Sequence, residues 1–135
     1  HKTVKNIKEH NAFTVSIADV NHLKESDFFG ITTGNKITDK VTKAGLTYSK
    51  SQNVDAPIIN EYPLTMECKL LSYDESTEQV IAEVVNTLID DTILTNDKID
   101  LSKFKPIIYD AMNHDYISFG EKVGNAFSDG KEIEN

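Results

Sequence analysis

Apolar and polar residues alternate with period two along Ala12-Phe13-Thr14-Val15-Ser16-Ile17, placing Phe13, Val15 and Ile17 on one face of an extended segment. The alternation is clearer at residues 64–70, where Leu64, Met66, Cys68 and Leu70 interleave with Thr65, Glu67 and Lys69. That pattern predicts a half-buried strand. A polar connection from Ser72 to Gln79 leads into Val80-Ile81-Ala82-Glu83-Val84-Val85, which is apolar on both faces and reads as a central strand or one covered on both sides. The two strands form a predicted hairpin. Ile107-Ile108-Tyr109 and Tyr116-Ile117-Ser118-Phe119 are two further short strands.

Helical periodicity is weaker and confined to short stretches. Residues 2–10 are polar, with Val4, Ile7 and Lys8 at helical spacing, and predict a short surface helix. Asn21 to Phe29 predicts a second helix carrying Leu23, Phe28 and Phe29, ended by Gly30. After a polar turn at 31–36, Ile37, Val41 and Ala44 share one stripe of a third, with Gly45 in the stop position. Residues 47–60 read as a loop, and the charged tail from Ser128 to Asn135 is expected to fray. Short strands with a few small helices make a β-rich α+β domain, often a barrel.

The 135 residues suit one domain with one core. The net charge of −8 repels phosphate backbones and argues against a nucleic-acid binder. Cys68 is the only cysteine, which excludes an intrachain disulfide and a cysteine zinc cage and suits a cytoplasmic location. No apolar run is long enough to span a membrane. The chain opens at His1 without an initiator Met and reads as a piece of a longer domain. His1, His10, His22 and His114 lack ligand spacing, so no metal site is expected. Glycine-rich nucleotide loops and a nucleophile elbow are absent. Any redox chemistry must therefore come from a bound cofactor.

One segment departs from this acidic background. Residues 31–51 hold four lysines (Lys36, Lys40, Lys43, Lys50) against Asp39, a net of +3 that leaves −11 on the rest. Lys36, Lys40 and Lys43 fall on one stripe of the predicted helix, after Thr32, Thr33 and Gly34. Charge and spacing leave two readings open. One is a phosphate seat built from hydroxyls, exposed N–H groups and an ammonium; the other is a solvated lysine face behind a threonine cap.

Asp27-Phe28-Phe29-Gly30-Ile31-Thr32-Thr33-Gly34, followed by Asp39-Lys40, resembles the glycine and lysine motif of flavin reductase family proteins. These are flavoredoxin-like members of the split barrels that bind flavin mononucleotide (FMN). Gly45-Leu46-Thr47, Val54–Glu61, Met66-Glu67-Cys68-Lys69, Glu83-Val84-Val85 and Tyr116 through Lys131 resemble further family segments in the same order. The resemblance implies an FMN-binding split β-barrel with short flanking helices, here truncated at its N-terminus. It assigns the FMN phosphate to the Thr33 hydroxyl, the Gly34 N–H and the Lys40 charge, with Asp39 orienting Lys40. Thr32 would line the same turn, and Thr3 would approach the flavin edge. It also implies a homodimer, NADH or NADPH as electron donor, and a small-molecule or protein acceptor. No residue stands out as acid, base or nucleophile. Two other readings remain: an FMN electron carrier without enzymatic activity, and a flavin-free barrel used for interaction.

Overall fold

The computed structural model describes residues 1–134. A surface helix, α1 (Lys2–His10), ends at Asn11, whose left-handed backbone (φ 51°) turns the chain into β1 (Ala12–Ser16). Asn tolerates this conformation better than most residues. A short 3₁₀ turn (Val20–His22) feeds α2 (Leu23–Ile31), and α3 (Lys40–Lys43) is a single turn. Eight more strands follow: β2 (Tyr48–Lys50), β3 (Pro57–Ile59), β4 (Leu64–Asp74), β5 (Gln79–Ile89), β6 (Leu94–Thr95), β7 (Lys98–Ile99), β8 (Ile107–Asp110) and β9 (Asp115–Ser118). A last turn of helix, α4, spans Lys131–Glu134.

β4 is the centre of an antiparallel sheet ordered β1-β4-β5, and the other strands pair as the hairpins β2–β3, β6–β7 and β8–β9. The described residues thus form an open sheet with three satellite hairpins rather than a closed hydrogen-bonded ring. The core is small and comes from many segments: Ala12, Leu46, Ala56, Tyr62, Cys68, Ile93 and Phe104.

Several expectations need correction. In β4 the apolar positions Leu64, Met66 and Leu70 are half-buried and Cys68 is buried, as the alternation predicts, but part of the opposite face is covered too, with Thr65 and Glu67 its most buried side chains at 1% exposure each. Partners bonded to them cover that face: Ser16 lies 2.8 Å from Thr65, and Ser51, Asn53 and Asn86 surround Glu67. β5 is an edge strand, not a covered one, and Ile81, Val84 and Val85 are 50%, 51% and 42% exposed. Register shifts between Glu67 and Cys68 and between Leu70 and Ser72 move residues from one face to the other, which simple alternation cannot anticipate. The 47–60 loop contains the β2–β3 ladder, too short to show a period. The third helix keeps only Lys40–Lys43, which leaves Lys36 in the preceding turn and breaks the expected lysine stripe. The tail contains α4; its last residue, Asn135, lies outside the described residues.

Candidate functional site

A cleft of about 680 Å³ opens between α1, β1, the α2–α3 segment and the β2–β3 hairpin. Its apolar walls come from Phe29, Ile37, Val41, Pro57 and Ile59, and its polar walls from Lys2, Thr3, Thr14, Ser26, Lys40 and Tyr62. A second cavity of about 460 Å³ shares Thr3, Asn6, Thr14, Tyr48 and Pro57 with it. Both volumes fall within the range of small-molecule sites.

Three of the five residues singled out from sequence meet on this cleft: Thr3, Gly34 and Lys40. Thr32 and Thr33 do not line it. Thr32 caps the C-terminus of α2, its N–H donating to the Phe28 carbonyl. Thr33 is exposed, and its hydroxyl accepts from the Asn35 N–H at 3.2 Å. The Thr33 carbonyl accepts from Lys36 and Ile37 N–H, so the glycine lies inside a closed turn.

Lys40 reaches back across this turn. Its Nζ donates to the carbonyls of Phe29 (2.7 Å) and Thr32, at the end of α2, where carbonyls lack helical partners. The ammonium also lies 5.7 Å from the centre of the Phe29 ring. Asp39 does not orient Lys40. Its carboxylate accepts from the Thr42 N–H at 3.0 Å and caps α3, and those bonds to Thr42 hold its pKa below the ordinary carboxylate value. A carboxylate therefore already occupies the start of α3, and the cationic character of this wall rests on lysine side chains.

Sequence reasoning missed a second cation. Lys2 Nζ donates to the Gly34 carbonyl at 3.0 Å, joining α1 to the turn. A Cβ built on Gly34 would come within 3.3 Å of Lys2 Cδ, so a glycine here lets the two segments approach. Lys2 stands beside Thr3, but no local pattern marks it, because its partner is 32 residues away. Ser26 and Tyr62 were missed for the same reason. Their hydroxyls lie 2.7 Å apart on the cleft wall, and burial raises the Tyr62 pKa. Behind them His22 packs on the Tyr62 ring at 5.0 Å and is held 2.7 Å from buried Asp19. The helix-capping signal of Asp19 was readable in the sequence, since its carboxylate accepts from the His22 N–H at 2.9 Å.

No group of three or more metal-ligating side chains occurs among the described residues. None of their helices is long and apolar enough to cross a membrane.

Among solved structures, the chain is similar to the flavoredoxin of Desulfovibrio vulgaris (Miyazaki F). The two are 34% identical with a TM-score of 0.87, over 95% of this chain and 69% of that one. A flavoredoxin from Methanosarcina acetivorans is 24% identical with a TM-score of 0.86, over 98% of this chain and 71% of that one, a likeness of fold. The fold is that of the flavin reductase-like split barrels. An uncharacterized protein of Aquifex aeolicus (strain VF5) is 31% identical over 111 residues. The match takes in 78% of this chain, which spans only 55% of that relative's length. Residues 1–113 match the model of the flavin reductase like domain. The chain belongs to the flavin reductase-like family.

Proposed function

We propose that the cleft binds FMN and that the protein is an NADH- or NADPH-dependent FMN oxidoreductase. The observation that carries this reading is the convergence of Thr3 from α1 with Gly34 and Lys40 from the α2–α3 segment on one cleft of a size suited to a cofactor. The donor set fits the group. Two ammonium groups flank the Gly34 turn, and Phe29, Ile37, Val41 and Ile59 offer an apolar bed for a ring. Lys2 and Lys40 would hold the phosphate, with the Gly34 N–H donating to it, while Thr33, off the cleft, shapes the turn. Thr32 keeps the turn closed. Thr3 faces the flavin edge, and the apolar walls exclude water. The redox chemistry is that of the bound flavin, with two electrons taken from NADH or NADPH and delivered to a small-molecule or protein acceptor.

A carrier without enzymatic activity is the second reading, favoured by the 34% identity to a flavoredoxin. The visible spectrum separates them. The reductase shows flavin absorbance that NADH or NADPH bleaches rapidly, whereas a carrier keeps its colour until a reduced protein partner is added. A protein that stays colourless with added FMN sinks both readings and leaves a flavin-free barrel.

The lysine has its own test. Lys40→Met keeps the aliphatic stem and removes the charge, so the FMN dissociation constant should rise about tenfold or more, the scale of a charge-assisted bond. Riboflavin has no phosphate and should bind wild type and variant alike. Unchanged FMN affinity would show that Lys40 serves only the end of α2.

We also propose a homodimer. Support comes from β5, whose edge position leaves Ile81, Val84, Val85, Leu88 and Ile89 all at least 38% exposed.

A further inference from the structure

We propose that Thr14, Ser26 and Tyr62 form a wall that accepts hydrogen bonds and donates none, selecting the O–H- or N–H-bearing part of the ligand and turning its phosphate away. The proposal rests on the reading of the cleft as an FMN site and adds which part of the ligand meets which wall.

Each hydroxyl has a single proton to give. Thr14 Oγ1 gives its proton to the Pro57 carbonyl at 2.6 Å. Ser26 Oγ gives its proton to the His22 carbonyl at 2.7 Å, one turn back on its own helix. Ser26 therefore has nothing left for Tyr62, and in that 2.7 Å pair the phenol must be the donor. Burial raises the Tyr62 pKa, so the phenol keeps its proton at neutral pH. All three protons are spent inside the chain, and only lone pairs are left for a ligand.

The arrangement is also held in place. Tyr62 is 7% exposed, its ring packs on His22, and His22 is anchored to buried Asp19. Turning to donate to a ligand would cost Thr14 its bond to the Pro57 carbonyl and Ser26 its bond to the His22 carbonyl. Lys2 and Lys40 on the same cleft have the opposite character, since ammonium groups only donate. Phosphate oxygens go to the lysines, and ligand donors go to the hydroxyl wall. In FMN those donors are the hydroxyls of the ribityl chain or the imide N–H of the ring.

Tyr62→Phe removes the deepest acceptor and keeps the ring. FMN titration by flavin fluorescence should give a dissociation constant about three- to tenfold higher than wild type, the scale of one neutral hydrogen bond. Thr14→Val, nearly isosteric, should give a loss of the same order. Thermal unfolding of each variant confirms that it is folded at the assay temperature. Lumiflavin, which has the imide but no ribityl phosphate, identifies the donor. If Tyr62→Phe weakens lumiflavin as much as FMN, the imide faces the wall; if only FMN is weakened, the ribityl hydroxyls do. FMN affinity within twofold of wild type in both variants overturns the proposal and leaves the FMN reading intact. Failure of the wild-type chain to bind FMN removes both.

Discussion

Glu67 is a carboxylate with 1% exposure whose hydrogen-bond partners are neutral side chains. Its two oxygens accept from Ser51 Oγ, from Asn53 Nδ2 at 2.9 Å and from Asn86 Nδ2 at 2.6 Å. The bonds from Ser51 and then Asn86 hold its pKa below the ordinary glutamate value, outweighing the opposing effect of burial. The folded-state pKa is lowered, so this stabilisation is complete above the unfolded-state value of about 4.3 and is lost as pH falls through the folded-state value. Glu67→Gln keeps the shape but sets an amide donor against donors. A loss of about 2–3 kcal/mol in denaturant-derived stability at pH 7 is expected, shrinking as the pH drops below about 4. A variant as stable as wild type would show that the knot contributes no net stability. Next to it Cys68 is buried and its thiol pKa is pushed up, which suits a packing residue rather than a reactive one.

At the level of elements, the single turn α3 survives because both of its ends are specified. Asp39 caps its start, and Gly45 closes it with φ +76°, its N–H on the Thr42 carbonyl and the Leu46 N–H on that of Val41. Nothing lies within 4 Å of a Cβ placed on Gly45, so the cost of Gly45→Ala is conformational, about 1–2 kcal/mol by thermal or chemical unfolding. A neutral result would mean that the turn opens at little cost. Elements of this kind were legible in the sequence. The stop at Gly45, the strand after Asn11, the β4–β5 hairpin and the β8–β9 pair each carry local signals. The β2–β3 and β6–β7 ladders did not, because two or three residues cannot display a period. Apart from Thr3, which the family resemblance supplied, the site was legible only where its residues sit in one contiguous segment. Gly34 and Lys40 came from such a segment, whereas Lys2, Ser26 and Tyr62 reach the cleft through contacts 32 and 36 residues apart in sequence.

For the molecule as a whole, β5 presents an exposed apolar sheet edge. If copies pair across it, sedimentation equilibrium should give twice the chain mass of 15.1 kDa. Val84→Lys, which places a charge at a half-exposed position, should shift the protein toward monomer without lowering its unfolding midpoint by more than a few degrees. A wild-type monomer at tens of micromolar would rule out this self-association. The same strip also governs how the protein behaves as a colloid. At neutral pH the net charge of −8 sets copies in mutual repulsion, but near the isoelectric point of about 4.9 that barrier disappears while the side of β5 facing away from β4 still has no neighbouring strand among the described residues. The bonds to Glu67 hold its pKa below the ordinary glutamate value, so its contribution to stability is retained at that pH. Turbidity should therefore peak close to pH 5 with near-native circular dichroism and clear again on return to pH 7.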